Sequence, residues 1–379
     1  MSHAHIPRRP LAAVAGAVLT LVLALVAGAL TASPAAAADQ PSAVYALTNG
    51  AAGNALTVYN RAADGSLTAA GTVATGGLGT GSGLGNQGAL ALSDDGRRLY
   101  AVNPGSGSVS AFSVGSGGPS LLGVVSSGGV SPVSVALHDS FVYVLNAGSG
   151  IAPGSISGFT ANASGALTPL AGSTRPLSGA SVGPAQIGFS PDGSTLVVTE
   201  KATNIVDTYA VGANGLATGP VAHASSGATP FGFAFDKRGT LIVSEAFGGA
   251  ASALSSYSVA GGFTTLSPSV AATGQRAACW VVTTKNGRYA YTTNTASGTV
   301  SAYAIGQNGS LALLHAVAGT TGGAPTDAAL SVNSHSLYVL NAATHRIDAF
   351  RVEADGSLTA LGNAGVSGLP AGATGLVAF

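Results

Sequence analysis

Beyond residue 38, apolar segments with alternating polar positions recur along the chain at a nearly constant spacing. One aromatic residue closes an alternating segment in each unit, and successive aromatics lie 53, 47, 50, 48, 46 and 47 residues apart. These aromatics are Tyr59, Phe112, Phe159, Tyr209, Tyr257, Tyr303 and Phe350. Seven marks at this spacing indicate seven supersecondary units, because self-similarity at a fixed period identifies a repeat architecture.

The internal pattern of one unit predicts four strands. AQIGFS runs into the turn PDG, STLVVTE follows, and NIVDTYAV then leads through the turn NGLAT into a short fourth segment. Asp-Gly and Asn-Gly between alternating segments are the strongest short hairpin signal. Four antiparallel strands repeated seven times are typical of a β-propeller. We therefore predict an all-β fold, a seven-bladed β-propeller of four-stranded antiparallel blades.

The two ends of the repeat array complement each other. The first segment, AVYALTN, matches the second strand of a unit, whereas the C-terminal LPAGATGLVAF matches a first strand. We expect residues 373–379 to supply the innermost strand of blade 1. This pairing would close the ring and cover an apolar face that an open array leaves exposed.

The composition agrees with such a fold. The chain has 56 glycines, 46% apolar residues and only 7% charged residues. It is too apolar for a disordered protein, and it lacks the Gly-every-third period of collagen. Glycine at this frequency suits a protein with many tight turns, because glycine adopts positive φ without strain.

The N-terminal segment is predicted to be a secretory signal. Arg8 and Arg9 precede an uncharged run over residues 11–30, and TASPAAAADQ follows. A basic start, an apolar run and an Ala-x-Ala site predict cleavage after Ala38, which leaves residues 39–379 as one propeller domain. We therefore expect a secreted, extracellular protein without a membrane span after cleavage. The run of about 20 residues is also long enough to cross a bilayer, so an uncleaved anchor is the alternative.

Charge and metal-binding patterns narrow the function. Removal of residues 1–38 leaves 12 basic and 14 acidic residues and no basic run, which excludes a nucleic acid as the partner. No histidine is spaced as one of a pair of metal ligands, so we predict no metal and no cofactor. Cys279 lies in the apolar segment RAACWVV and is predicted to be buried. We expect a monomer that binds a small molecule.

The motifs SPDGSTLVVTE and TKNGRYAYTTNTASGTVSAYAI, with the recurrent D/N-G-S-L turn, resemble the seven-bladed lactonase-type propellers. That group includes the bacterial propeller 6-phosphogluconolactonase and carboxymuconate-cyclising enzymes. The resemblance covers roughly residues 42–379 and implies the fold together with lactone chemistry. Gln186 stands where the phosphogluconolactonase-like members have a His, and TEKATN replaces their Asp-Leu-Gly-type loop. These departures predict a substrate other than a sugar phosphate.

The residue that ends the second strand differs between units. It is neutral in Asn103, Asn146, Asn294 and Asn341 and acidic in Glu200 and Glu245. The Asn side chains are expected to cap turns, which a Glu cannot do in the same way. Two interpretations of the Glu pair stay open. Either they are solvated or paired with a cation such as Lys201 or Arg276, or adjacent blades aim both at the channel mouth, where crowding produces a general base.

The starts of the innermost strands supply further candidates. Counting along each unit aligns Gln186, Gly232, Trp280 and Asp327, with Gln87 one residue earlier in its own unit. Arg276 lies just before the strand of Trp280, the only Trp in the chain. A Trp beside an Arg at a cleft mouth would suit a cyclic ligand, and packing between blades is the alternative.

Two glycine-rich motifs are predicted to be structural. GASVG matches the G-x-S-x-G pattern of serine hydrolases, but that motif requires a strand before the Ser and a helix after it, so Ser181 is predicted to lie in a loop. GGLGTGSGLGNQG is predicted to be a flexible connection into blade 2, because no helix follows it to bind phosphate.

These observations lead to two hypotheses. In the first, the protein is a secreted lactonase-like hydrolase in which Glu200 or Glu245 acts as base and Arg276 stabilises the oxyanion. Its substrate-binding candidates are Gln186, Trp280, Asp327, Asn294 and Lys201. A ring-closing cycloisomerase is a variant of this hypothesis. In the second, the protein is a non-catalytic extracellular propeller that binds a ligand or acts as a scaffold.

Overall fold

The computed structural model describes residues 42–362 and 365–379. The predicted signal lies outside the described residues. The described chain forms seven antiparallel sheets that follow one another around a ring, which confirms the predicted seven-bladed β-propeller. Apart from its strands, the described chain includes a short 3₁₀ helix, Phe247–Gly249. Within the same residues, no helix has the length and apolar character that crossing a bilayer requires.

Each blade has four strand positions, counted from the central channel outward. The innermost strands are β30 (Thr374–Ala378), β4 (Leu90–Leu92), β8 (Pro132–His138), β13 (Pro184–Phe189), β17 (Pro230–Phe235), β21 (Ala278–Thr283) and β25 (Pro325–Leu330). The second strands are β1 (Ala43–Leu47), β5 (Arg98–Asn103), β9 (Phe141–Asn146), β14 (Thr195–Glu200), β18 (Thr240–Glu245), β22 (Tyr289–Asn294) and β26 (Ser336–Asn341).

The third strands are β2 (Ala55–Arg61), β6 (Ser108–Gly115), β10 (Ser155–Ala161), β15 (Ile205–Val211), β19 (Ala253–Ser258), β23 (Thr299–Ile305) and β27 (Arg346–Val352). The outer strands are β3 (Leu67–Ala74), β7 (Gly118–Ser126), β11 (Leu167–Pro169) with β12 (Arg175–Pro176), β16 (Ala217–Ala224), β20 (Thr264–Ala271), β24 (Leu311–Thr320) and β28 (Leu358–Ala360) with β29 (Val366–Ser367).

The C-terminal strand closes the ring as predicted. Strand β30 pairs antiparallel with β1, and Tyr45 lies opposite Val377 in this pairing. The sheet of blade 1 therefore has the order β3-β2-β1-β30 and joins the two ends of the described chain. Because β1 and β30 come from opposite ends of the described chain, the four-stranded sheet of blade 1 is complete only after the C-terminal strand has paired with β1.

The recurrent turn glycine also joins neighbouring blades. Gly215 has a positive φ of 77°, and a side chain there would overlap the ring of Phe141 in blade 3. The Tyr143 hydroxyl of blade 3 donates to the Gly215 carbonyl oxygen at 2.8 Å. Tyr338 of blade 7 makes the same bond to Gly65 of blade 1 at 2.8 Å, across the point where the ring closes. Glycine is thus required both by the turn and by the close approach of the adjacent blade.

The seven aromatic marks all lie on third strands and are buried between sheets. Cys279 is buried as predicted, and burial raises the pKa of its thiol to about 11. We call the face that contains the second-to-third-strand loops and the connections into the next blade the upper face. The candidate functional residues lie on or beneath this face.

Candidate functional site

In six blades, the residue that ends the second strand has a buried polar side chain that forms hydrogen bonds to neighbouring segments. We call this side chain a buried bridge. Each of the six Asn and Glu side chains at this position is at most 1% exposed. Asn294 donates to the hydroxyl of Ser301 on the third strand at 2.8 Å, and Asn103 donates to Ser110 in the same way at 2.7 Å. Asn103 and Asn294 therefore connect strands, whereas Asn341 caps the following turn as expected, because its Oδ1 accepts from the Thr344 N–H at 3.2 Å.

Glu245 is a bridge of this kind in blade 5. Its Oε1 accepts hydrogen bonds from the Ser255 hydroxyl at 2.6 Å, the Gly227 backbone N–H at 2.7 Å and the Ser225 hydroxyl at 3.3 Å. Its Oε2 accepts a hydrogen bond from the Ser269 hydroxyl. The carboxylate is fully buried and surrounded by donors. This Glu joins the third strand to the incoming connection, as the Asn residues do in other blades.

Glu200 has different surroundings in blade 4. Its Oε2 accepts hydrogen bonds from the hydroxyls of Ser178 at 2.6 Å and Thr203 at 2.8 Å. The Ser178 backbone N–H is shared between Glu200 Oε1 at 3.1 Å and Asp207 Oδ2 at 3.0 Å. Glu200 and Asp207 are both fully buried, whereas Ser178 is exposed at the upper face. Ser178 is thus bonded to two buried carboxyl groups, to Glu200 through its hydroxyl and backbone N–H and to Asp207 through the backbone N–H alone.

The second carboxyl group of this network has an altered pKa. Burial raises the pKa of Asp207 to about 8, and a hydrogen bond and charge repulsion from Glu200 add to the effect. Asp207 is therefore protonated at neutral pH, so its neighbour Glu200 faces no second negative charge there.

The starts of the innermost strands form a set of links between neighbouring blades. The Gln186 side chain accepts from the Phe233 N–H at 2.6 Å and donates to the Phe233 carbonyl at 3.0 Å. Asp327 accepts a hydrogen bond from the Ala328 backbone N–H at 2.8 Å, and its buried Oδ2 has no hydrogen-bond partner within the described residues. Burial raises the pKa of Asp327 to about 8. Through its bonds to Phe233, the partly buried Gln186 side chain therefore links blade 4 to blade 5.

Blade 5 completes its link with a residue from blade 2. Gly232 has no side chain to reach blade 6, and Gln87 enters the same space. The Gln87 amide donates to the Val281 carbonyl at 2.9 Å and accepts from the Val281 N–H at 3.1 Å. Trp280 donates its indole N–H to the Asn86 carbonyl at 2.8 Å and is only 4% exposed. The glycine-rich segment before Asn86 therefore leads into residues that are hydrogen-bonded to the innermost strand of blade 6.

An open cavity lies between blades 3 and 4. Its volume is about 450 Å³, which falls in the usual range for small-molecule sites. It is lined by the loop of residues 147–154, by Ser181 and Pro184, and by Leu84. Lys201 is the one ionisable residue in its lining.

Lys201 enters this cavity from the residue after Glu200. Its Nζ donates to the Gly85 carbonyl and lies 4.8 Å from the centre of the Phe231 ring. Burial lowers the pKa of the Lys201 ammonium. No carboxylate of the described chain lies within salt-bridge distance of it. Two N–H groups of the ammonium remain for a ligand, because a lysine has three donors.

The remaining candidates lie away from this cavity. Arg276 is exposed on the connection into blade 6 and donates to the Gly249 carbonyl at 3.3 Å. Asn294 is buried in the bridge of that blade. Within the described residues, no hydrogen bond joins the networks of Glu200 and Glu245. The structure therefore does not bring Glu200, Glu245 and Arg276 into one pocket, and their catalytic role stays a prediction.

Ser178 and Asp207 are the residues that the sequence interpretation missed. A signal for Ser178 exists in the connections between blades. Four of them place glycine against the strand-end side chain, and these glycines are Gly77, Gly129, Gly227 and Gly323. Ser178 replaces glycine in blade 4 and donates its N–H to Glu200 as Gly227 does to Glu245. Asp207 likewise replaces a serine, since Ser110 and Ser301 occupy its position seven residues after their strand-end Asn.

Within the described residues, no three His, Cys, Asp or Glu side chains form a group that could hold a metal ion.

Comparisons with known proteins place the chain in a family. Solved structures with the same fold include a proposed 6-phosphogluconolactonase from Bacteroides fragilis, with 19% identity and a TM-score of 0.72 over 92% of this chain and 100% of that one. The Pseudomonas aeruginosa periplasmic gluconolactonase has 18% identity and a TM-score of 0.68 over 88% and 98%. A Lactobacillus plantarum protein has 20% identity and a TM-score of 0.72 over 90% and 100%.

These identities establish the fold alone. No protein with a curated function matches the chain in sequence. The family model described as "Lactonase, 7-bladed beta-propeller" matches residues 78–371, which is most of the chain. Together with the seven closed blades, this match identifies the chain as a member of the seven-bladed β-propeller lactonase family.

Proposed function

We propose that the protein hydrolyses a small lactone in the cavity between blades 3 and 4. Family membership supports lactone chemistry, and two of the similar structures are named as lactonases. The proposal rests on one observation: the Glu200 carboxylate accepts a hydrogen bond from the hydroxyl of the exposed Ser178, and residues close to this pair in the chain, Ala180, Ser181 and Lys201, line the cavity. Ring opening needs a base for the attacking oxygen and a donor for the carbonyl oxygen. Glu200 would be the base and Lys201 a donor.

The lining of the cavity favours an uncharged or singly charged lactone. Most of the lining is apolar or glycine, and Lys201 is its one ionisable residue. A phosphorylated lactone carries about two negative charges at neutral pH, so one partly desolvated ammonium would neutralise only part of that charge. A neutral sugar lactone or an alkyl lactone requires only hydrogen bonding to its carbonyl and ring oxygens. We therefore propose a non-phosphorylated substrate.

This function is tested by incubating the protein with a panel of lactones and measuring the rate of proton release at constant pH. We expect glucono-δ-lactone or simple γ- and δ-alkyl lactones to be opened faster than 6-phosphoglucono-δ-lactone. Lys201→Met should lower kcat/KM by about 100-fold, the usual cost of one oxyanion donor. Lys285→Met, a cation on the opposite face, is the matched control. Binding without turnover across the panel would instead favour the non-catalytic hypothesis.

We further propose that the protein acts outside the cytoplasm after loss of residues 1–38. The basic start, apolar run and Ala-x-Ala site support this proposal. The full chain should be expressed in a secreting host, and the protein in the medium should be sequenced from its N-terminus. We expect Asp39 to be the first residue. A protein that stays in the membrane fraction with Arg8 and Arg9 intact would contradict it.

A further inference from the structure

We propose that Ser178 is a catalytic nucleophile that forms a covalent ester with the opened substrate. This inference rests on the proposed lactone hydrolysis and specifies its first step. Ser178 combines an exposed side chain with a hydrogen bond of 2.6 Å to the buried Glu200 carboxylate. A serine within this distance of a base, with the base oriented by other groups, is the usual arrangement of an activated hydroxyl.

The position of Ser178 is unusual among the blades. In blades 2, 3, 5 and 7 the equivalent residue is a glycine, and a side chain there would overlap the strand-end Asn or Glu. In blade 5 the Gly227 backbone N–H supplies the bond that the Ser178 N–H supplies in blade 4, and the hydroxyls bonded to Glu245 come from other positions. Blade 4 is thus distinguished by a hydroxyl at the glycine position itself. The connection of blade 4 is also longer, with residues 177–183 in place of residues 225–229 of blade 5.

The base is held firmly in relation to the hydroxyl. Glu200 Oε2 also accepts a hydrogen bond from Thr203 at 2.8 Å, and Oε1 accepts from the Ser178 backbone. These bonds fix both carboxylate oxygens and aim Oε2 at the Ser178 hydroxyl. Because Glu200 is fully buried, it contacts the surface through the hydroxyls of two exposed residues, Ser178 and Thr203, and the Ser178 bond is the shorter one. Burial of the base thus favours attack on the lactone by the serine over attack by a water that Glu200 deprotonates directly.

The loop after Ser178 offers donors for the carbonyl oxygen. Gly179 and Ala180 are exposed, and their backbone N–H groups donate to no acceptor in the described part of the chain. Ala180 and Ser181 line the cavity, so a lactone bound there lies next to this loop. Lys201 enters the same cavity from the residue that follows Glu200. Backbone N–H groups next to a nucleophilic serine are the usual oxyanion donors of acyl transfer.

The chemistry proceeds in two balanced steps. Ser178 Oγ attacks the lactone carbonyl carbon while its proton passes to Glu200 Oε2. The ring C–O bond then breaks, and the released alkoxide takes that proton to become a hydroxyl group. Water next attacks the Ser178 ester and gives its proton to Glu200, and the departing Ser178 oxygen takes the proton back. The product is the free hydroxy acid, and the enzyme is regenerated.

The covalent intermediate provides a direct test by mass. Ring opening retains every atom of the lactone, so acid quenching during turnover should add the full lactone mass to the peptide that contains Ser178. A fluorophosphonate probe should also label Ser178. Ser178→Ala should abolish both adducts and lower kcat/KM by about 100- to 10,000-fold. Ser225→Ala, which removes the corresponding hydroxyl bonded to Glu245, is the matched control and should keep both adducts.

A second variant controls for folding. Ser178→Gly keeps the backbone N–H to Glu200 and reproduces the glycine found in blade 5, so it should retain the wild-type thermal midpoint and lose the adducts. Lactone turnover that is unchanged in Ser178→Gly would overturn the nucleophile while leaving the proposed function intact. Labelling of Ser178 without turnover of any lactone would support the nucleophile and remove lactones as substrates. Absence of any adduct on Ser178 would overturn the inference.

Discussion

Blades 4 and 5 share a buried Glu at the end of the second strand, but the surroundings of this Glu differ between the two blades. Each ends its second strand with a fully buried Glu that accepts a backbone N–H from the incoming connection. In blade 5 the Glu245 carboxylate is surrounded by serine hydroxyls from the third strand and neighbouring segments. In blade 4 the third strand contributes Asp207, and the connection contributes an exposed Ser178.

This difference distinguishes Glu245, whose role is structural, from Glu200, which is hydrogen-bonded to an exposed residue. The donors around Glu245 are the buried Ser255, the Gly227 backbone N–H and the partly buried Ser225 and Ser269, and none of these residues is exposed. Glu200 has an equally buried charge, but its shortest hydrogen bond comes from a hydroxyl at the upper face. A buried acidic residue is thus not informative by itself. The exposure of its hydrogen-bond donors decides whether it can take part in chemistry.

Neutralising each Glu should produce the largest contrast between the blades. We expect Glu200→Gln to lower kcat/KM for lactone opening by at least about 100-fold, because an amide cannot take the Ser178 proton. Glu245→Gln should retain activity per folded molecule, since Glu245 has no donor in the cavity. Steady-state rates, corrected for the folded fraction by circular dichroism, measure this contrast. Equal losses in both variants would mean that the two carboxylates have the same role.

Adding a methyl group to a glycine in each connection should lower the free energy of unfolding more in blade 5 than in blade 4. A side chain at Gly227 would overlap the Glu245 carboxylate and crowd Ser269. We expect Gly227→Ala to lower the free energy of unfolding by about 1–3 kcal/mol, the usual cost of overpacking.

Gly179→Ala in blade 4 is the matched control for this substitution. The added methyl group would meet only Val182, at 3.4 Å, so the change in the free energy of unfolding should stay within about 0.5 kcal/mol. Denaturant unfolding of both variants provides the measurement. Similar stability of the two variants would show that the blade 5 connection can move away from Glu245.

The pH dependence of stability should show the smallest contrast. Burial and the adjacent Glu200 raise the pKa of Asp207 from 3.8 to about 8, so the folded protein keeps this proton over a range where the unfolded chain has lost it. Stability contributed by the protonated form is complete below about pH 4 and is lost as the pH rises towards 8. Asp207→Asn should remove this loss, and each pKa unit is worth about 1.4 kcal/mol.

The measurement is the thermal midpoint between pH 4 and 9. Asp327 has a pKa raised to about 8 by burial and contributes a decline in the same direction, so Asp207→Asn should flatten only part of the profile. The double variant with Asp327→Asn should flatten it further. Ser255 occupies the corresponding place in blade 5, and Ser255→Ala should leave the slope unchanged because a serine does not titrate in this range. A wild-type midpoint that is constant across this range would contradict the raised pKa values.

The sequence predicted the fold in detail and the site only in part. Blade number, strand order and closure by the C-terminal strand follow from the repeat period and from the matching ends, which reflect local backbone preferences. The position of Glu200 at a strand end was equally readable. Its burial was not, because alternation gives the face of a strand and not the depth of the residue within a stack of blades.

The contacts that define the site depend on the exchange of residues between blades. Ser178 reaches Glu200 from the preceding connection, and Gln87 reaches Val281 from a segment 194 residues away in the sequence. Gln186 is bonded to Phe233 of the next blade, and Trp280, for which packing between blades was the alternative, is bonded to Asn86 in the segment before β4. Their positions in the repeat were identified correctly from the sequence, whereas their partners follow only from the closed ring.

The Gln87 side chain makes the repeats of this protein non-interchangeable. It fills a gap that exists only because blade 5 has Gly232 at the start of its innermost strand. Replacing blade 5 with a copy of blade 4 would introduce a second Gln into the space that Gln87 occupies. A gene duplication or recombination that shuffled whole blades would therefore have to change both positions together, so this pair constrains how the array can diversify.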